Sequence, residues 1–213
     1  MPRPRRQSAP RPGGSGRLRI IGGRFRGRRL PIPDQPGLRP TPDRIRETLF
    51  NWLAPVIDGA RCLDPFAGTG ALGLEAASRG AARVVLIERS EPVARQLREN
   101  AGVLRADNVQ VVQADTLGWL ADPERRTAFG PFDLVFLDPP FAAGLLAPAC
   151  DLLARQGWLH PGARVYLETA LTAGLPTLPD GWELIRDRTA GQVRYALAQI
   201  QPRIGGITAA RDS

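Results

Sequence analysis

Phe132-Asp133-Leu134-Val135-Phe136-Leu137-Asp138-Pro139-Pro140-Phe141 reads as a strand that stops abruptly in a rigid loop. Leu134 to Leu137 is a short apolar run of the kind that is buried on both faces of a parallel sheet. The two prolines cannot donate to a ladder, and they hold the backbone extended just past the carboxyl end of the strand. In an open α/β sheet, ligands sit at that edge. The loop offers the Asp138 carboxylate, carbonyls whose neighbouring N–H groups are missing, and the ring of Phe141. Acceptors beside a stacking face suit a flat substrate with an exocyclic NH2, such as a nucleobase. Asp-Pro and Pro-Pro also punctuate ordinary turns, so the surrounding chain must decide.

Working outward, strands and helices alternate. Arg61-Cys62-Leu63-Asp64 is the first expected sheet strand, followed by a helix from about Ala71 to Arg79 that closes at Gly80. Ala82–Glu88 and Val109–Gln113 read as strands, separated by a helix over Pro92–Asn100. A short helix near Leu117–Leu120 leads to the strand ending at Asp138, and a helix over Leu145–Gln156 stops at Gly157. Ala163–Glu168 is a fifth strand, and Trp182–Arg188 with Val193–Gln199 form a closing hairpin. This pattern predicts an α/β fold with a doubly wound, mostly parallel sheet and an antiparallel edge. Upstream, Arg39 to Leu53 reads as a helix with Thr41 as N-cap, Pro42 in the first position and Ile45, Leu49, Trp52 and Leu53 on one apolar face. Leu18 to Leu30 reads as two short strands around the Gly22-Gly23 turn. Strand alternation there would put Arg24, Arg26 and Arg28 on one face, suited to a phosphate backbone or simply to solvent.

The chain of 213 residues carries a net charge of +8, unevenly placed. Residues 1–30 hold ten arginines and no acid, whereas the remainder is nearly neutral. We therefore expect an Arg/Pro/Gly-rich disordered arm over 1–17, a hairpin extension over 18–40, one main domain over 41–201 and a flexible tail over 202–213. A basic arm favours a polyanion, most simply nucleic acid. An Arg-rich transit peptide has similar charge, but the Pro and Gly content of the first sixteen residues opposes an amphipathic helix. No run approaches the roughly 20 apolar residues that span a bilayer, so no membrane is expected. Every cationic side chain is Arg, which excludes Schiff-base, Walker and general-base lysines. His160, the single histidine, is expected in a surface turn between helix and strand, and no metal site is expected. Cys62 and Cys150 read as reduced core thiols of a cytoplasmic protein.

Gly68-Thr69-Gly70-Ala71-Leu72-Gly73 has the G-x-G-x-x-G spacing, with Glu88 about 20 residues on. Alone it fits a dinucleotide. Asp64, just before the loop, argues otherwise, because it would repel a pyrophosphate in a partly buried cleft. A cofactor with a sulfonium and an α-amino group, S-adenosylmethionine (SAM), would be attracted. Glu88 could take its ribose hydroxyls and Asp115 its adenine amine.

These segments resemble a known family. Leu63-Asp64-Pro65-Phe66-Ala67-Gly68-Thr69-Gly70 is similar to the cofactor loop of SAM-dependent methyltransferases. Asp138-Pro139-Pro140-Phe141 is similar to the signature of enzymes that methylate exocyclic amines of bases. Together with Leu18 to Gly27, Arg39-Pro40-Thr41 and the helix to Leu53, they resemble the bacterial RsmD family from about Leu18 to Gln199. The resemblance implies a Rossmann-like class I methyltransferase with a seven-stranded sheet and SAM as cofactor. The implied acceptor is N2 of one guanine of 16S ribosomal RNA, guanine 966, as naked RNA or in the small ribosomal subunit. It implies a catalytic loop of Asp138, Pro139, Pro140 and Phe141. It implies cofactor contacts from Thr41, Asp64, Phe66, Ala67, Gly68, Gly70, Glu88, Arg89, Asp115 and Thr116. RNA contacts are expected from Arg24, Arg26, Arg28, Arg29, Arg39 and Arg44, and the enzyme is expected to be a monomer. Other readings remain at this stage: a DNA or tRNA amino-methyltransferase, an NAD-dependent oxidoreductase, and a non-catalytic RNA-binding assembly factor.

Overall fold

A computed structural model describes residues 16–202. Most of the expected arm and tail, up to residue 15 and from 203 on, lies outside the described residues. The main sheet contains β3 (Arg61–Asp64), β4 (Arg83–Glu88), β5 (Val109–Gln113), β6 (Phe132–Leu137), β7 (Leu159–Ala170), β8 (Trp182–Ala190) and β9 (Val193–Ile200). Their order is β5-β4-β3-β6-β7-β9-β8, parallel through β7, with β9 antiparallel between β7 and β8. A separate antiparallel pair, β1 (Arg17–Arg19) and β2 (Arg29–Pro31), precedes it. The helices are α1 (Asp43–Leu53), α2 (Gly73–Ser78), α3 (Glu91–Leu104), α4 (Thr116–Ala121), α5 (Pro123–Phe129) and α6 (Leu146–Arg155).

The unbroken apolar runs in β4 and β6 follow from burial on both faces. One face carries Cys62, Leu86, Leu134, Phe136 and Tyr166 against Ile45, Leu49 and Leu97. The other carries Leu63, Val85, Val135 and Leu137 against Trp119, Leu153 and Trp158. Strand order reverses between β3 and β6, so the loops beyond them part and open a crevice at the carboxyl edge. Both cysteines are free and buried.

The β1–β2 hairpin shares the core of the main domain through Leu18, Ile20 and Leu30. The buried Glu75 of α2 clamps it, accepting the N–H groups of Ile21 and Gly22 at 2.8 Å each. Gly23 at φ +71° lies so close to α2 that a Cβ would meet the Ser78 carbonyl oxygen at 1.8 Å.

The structure corrects several local expectations. Gly23–Phe25 is a 3-10 turn and each hairpin strand is only three residues long, so Arg24, Arg26 and Arg28 do not form a strand-face row. Pro42, not Thr41, occupies the N-cap of α1, without a side-chain cap. Positive φ at Gly68 and Gly70 keeps the loop open, and α2 begins only at Gly73. Helix α5 was not anticipated, although Asp122 caps it and Pro123 starts it. His160 lies within β7, which begins at Leu159, rather than in a turn.

Candidate active site

The crevice is built by loops that leave β3, β4, β5 and β6 at one edge. Asp64 ends β3 almost fully buried, and its Oδ2 accepts the Gly73 N–H at 3.1 Å, fixing the start of α2. Burial pushes its carboxyl up to about 7, with the nearby Asp138 charge adding to the rise and the Gly73 N–H opposing it. The Phe66–Gly70 loop is pinned by Ala67 N–H to the Ile87 carbonyl at 3.0 Å and Gly70 N–H to the Ala67 carbonyl at 2.7 Å. The three glycines differ in duty. A Cβ on Gly70 would collide with Leu97 at 2.7 Å and one on Gly73 with Leu86 at 2.1 Å, so these serve close packing. Gly68, at φ +49°, is less crowded: a Cβ there would meet only Leu38 at 3.4 Å and the Phe66 carbonyl oxygen at 3.8 Å.

Glu88, half-buried at the end of β4, accepts Gly68 N–H at 3.1 Å on Oε2 and Ser90 N–H at 2.7 Å on Oε1. Arg89 beside it is exposed. Asp115, exposed at the end of β5, caps α4 by accepting Gly118 N–H at 3.0 Å on Oδ2. The buried Thr116 hydroxyl donates to the Pro65 carbonyl, tying α4 to the loop after β3.

Asp138 leaves β6 half-buried, Pro139 is buried and Pro140 exposed. Phe141 opens a 3-10 turn and is 44% exposed, a large apolar ring left in water. The Thr41 hydroxyl donates to Asp138 Oδ2 at 3.1 Å, which ties Thr41 to the loop after β6. Burial pushes the Asp138 carboxyl up to about 6 and the Thr41 bond holds it down. The Thr41 bond favours the charged form, an acceptor kept partly dry.

The family described as Conserved hypothetical protein 95 matches residues 18–199. The "Ribosomal RNA small subunit methyltransferase D" of Escherichia coli K12 is 54% identical over 190 residues, 89% of this chain and 93% of that protein. The Haemophilus influenzae protein of the same name is 44% identical, covering 88% of this chain and 96% of its own. The chain belongs to the RsmD family. The solved structure of yhhF from Escherichia coli, 51% identical, superposes with a TM-score of 0.80 over 87% of this chain and 99% of that one. The sheet is thus the Rossmann-like sheet of a class I methyltransferase, and the cofactor of this RsmD-family chain is SAM.

The residues present fit that cofactor. Glu88 has both oxygens fixed by main-chain donors, yet each retains a further acceptor position for a ribose diol. Asp115 Oδ1 has no hydrogen-bond partner among the described residues. A sulfonium and an ammonium bound near the loop would favour the ionised form of the buried Asp64 carboxyl.

The arginines expected to meet RNA fall into two groups. Arg26, Arg29, Arg39 and Arg44 are exposed. Arg24 donates to the Arg105 carbonyl at 2.9 Å and Arg28 to the Val103 carbonyl at 3.2 Å, so both brace the carboxyl end of α3. Each guanidinium keeps further donors. Sequence reasoning missed Glu168 and Tyr166 on β7. Glu168 lies two residues inside the carboxyl end of β7, next to the position of Asp138 just past β6. A wider hollow of about 380 Å³ near Ala60, Asp133 and Ala163 lies at the opposite edge and holds none of these groups.

Proposed function

We propose that this RsmD-family enzyme transfers a methyl group to the exocyclic N2 amine of a guanine in 16S ribosomal RNA, guanine 966 as the resemblance implies. The relatives named as small-subunit ribosomal RNA methyltransferases support the RNA class. The observation that carries the chemistry is Asp138, half-dry and hydrogen-bonded by Thr41, at the head of a proline loop beside the cofactor crevice.

Bound SAM supplies an electrophilic methyl carbon. An aromatic amine is a poor nucleophile because its lone pair is delocalised into the ring. The Asp138 carboxylate and the Pro139 carbonyl accept its two N–H groups, pulling the nitrogen towards a pyramidal shape with the lone pair turned to the methyl. Pro139 and Pro140 keep the loop from relaxing. Phe141 stacks on the extruded base, a contact worth about 1–3 kcal/mol. Holding two reactants in line supplies several more kcal/mol of the barrier. The amine proton can leave after transfer, so no strong base is needed. Arg26, Arg29, Arg39 and Arg44, with the free donors of Arg24 and Arg28, contact RNA phosphates.

Mass mapping of methylguanine in small-subunit RNA from cells with and without this protein tests the proposal. Loss of one N2-methylguanine is expected; an unchanged methylation map would refute it.

A further inference from the structure

Asp138 and Glu168 each stand one residue beyond a paired position, Leu137 on β6 and Leu167 on β7. Parallel strands run about 4.8 Å apart, and residues at matched positions point to the same face. The two carboxyl groups therefore leave the sheet side by side. Glu168 is only 4% exposed. Its Oε2 receives the Tyr166 hydroxyl at 2.5 Å, whereas Oε1 has no hydrogen-bond partner among the described residues. Nor is Oε1 sealed off, since the fully buried unpartnered side-chain atoms among those residues are Arg46 Nε and Trp119 Nε1. Glu168 also borders a cavity of about 210 Å³ together with Pro139, Pro140, Phe141 and Thr169. A nearly buried acid with a spare oxygen is costly unless something hydrogen-bonds it.

The geometry points to Glu168 as the residue that selects guanine, with Oε1 accepting the base N1–H while Asp138 and Pro139 hold the adjacent N2 amine. This assignment rests on the guanine reading proposed above. Guanine presents N1–H and the 2-amine as neighbouring donors. Adenine and cytosine present an unprotonated ring nitrogen beside their amine. Two adjacent acceptors fit the first pattern and oppose the second. Burial, reinforced by the Asp138 charge, pushes the Glu168 carboxyl up to about 8, and the Tyr166 hydroxyl opposes that rise by favouring the charged form; a base N–H donated to Oε1 would favour it in the same way. The Tyr166 hydroxyl already donates to Oε2, which leaves Oε1 as the oxygen free to accept from the base.

Small subunits reconstituted with 16S RNA carrying either guanine or 2-aminopurine at the methyl-accepting position provide the test. 2-Aminopurine keeps the 2-amine but lacks the N1–H. Wild-type enzyme should prefer guanine in kcat/KM by roughly tenfold to a hundredfold. Glu168→Gln can turn an amide N–H to the base, and should bring the two bases to within about threefold of one another, with SAM affinity by calorimetry unchanged. A wild-type ratio near one overturns the assignment without recourse to any variant. An undiminished guanine preference in Glu168→Gln also overturns it, assigning Glu168 a structural role. Absence of transfer to guanine by wild-type enzyme instead sinks the guanine reading on which the assignment rests.

Discussion

The Thr41 hydroxyl donates to Asp138 Oδ2 at 3.1 Å, joining the segment before α1 to the loop after β6 across 97 residues of chain. The bond orients the carboxylate and offsets part of the rise that burial imposes on it. It also ties the hairpin–α1 region directly to the loop after β6. Thr41→Val removes the donor at nearly constant volume. Asp138 should then titrate higher than in the wild type, because a bond to the charged form has been lost. The acid limb of the kcat profile, where protonated Asp138 is inactive, should move to higher pH, with little change at pH 8 and above. A pH–rate profile of the variant checks this; an unmoved limb would mean that Thr41 does not act through Asp138.

Asp138 itself should be separable from cofactor binding. Asp138→Ala removes the acceptor aimed at the amine, and transfer should fall by at least about 100-fold, the scale of losing one preorganised group at a reacting centre. SAM affinity, measured by calorimetry, should stay nearly intact. The same substitution removes a negative charge that raises both Asp64 and Glu168, so both should titrate lower in the variant. A parallel loss of cofactor affinity would assign Asp138 to the cofactor instead.

The strands that position the site were legible because burial on both faces writes long apolar runs into β4 and β6, and Gly or Pro marks their ends. The acids at strand ends were legible one by one. Glu168 escaped because its partner, Tyr166, and its neighbour, Asp138, come together only once β6 and β7 are in register. Thr41 was legible as a hydroxyl before a proline, a local capping pattern; its real partner lies 97 residues away, beyond any local signal. The alternation of arginines between Arg24 and Arg28 suggested a strand, but contact with Ser78 bends that stretch into a 3-10 turn. Tertiary packing overrode the local pattern there.

The arginines should sort by their salt dependence. Replacing Arg26, Arg39 and Arg44 by Ala should weaken RNA binding and lower the slope of log K against log salt by roughly one unit per lost phosphate contact, with thermal stability unchanged. Arg24→Ala and Arg28→Ala each also remove a bond to the end of α3, so they should lose some stability as well. Binding isotherms at several salt concentrations, paired with thermal melts, distinguish the two groups. Unchanged slopes would remove these side chains from the RNA surface.

Glu75 joins the hairpin to the catalytic domain through a buried charge cluster. It accepts Ile21 and Gly22 N–H groups and the Arg79 guanidinium at 2.7 Å, and it lies 3.5 Å from Arg46. Arg46 is fully buried, and its Nε already has no hydrogen-bond partner among the described residues. Removing the acid would leave a buried guanidinium facing only Asp43 at 2.6 Å and backbone carbonyls. Breaking one side of such a pair typically costs about 3–5 kcal/mol, a large share of the roughly 5–15 kcal/mol that holds a domain together. Glu75→Ala should therefore lower the urea midpoint sharply. The same change should free the hairpin, seen as faster amide exchange at Ile21 and Gly22. Glu75→Gln, which keeps acceptors for those amides but not the charge, should retain hairpin protection better than Ala while still losing stability. If both variants unfold at the wild-type midpoint, the cluster is not what fixes the hairpin to α2, and the apolar contacts of Leu18, Ile20 and Leu30 must suffice.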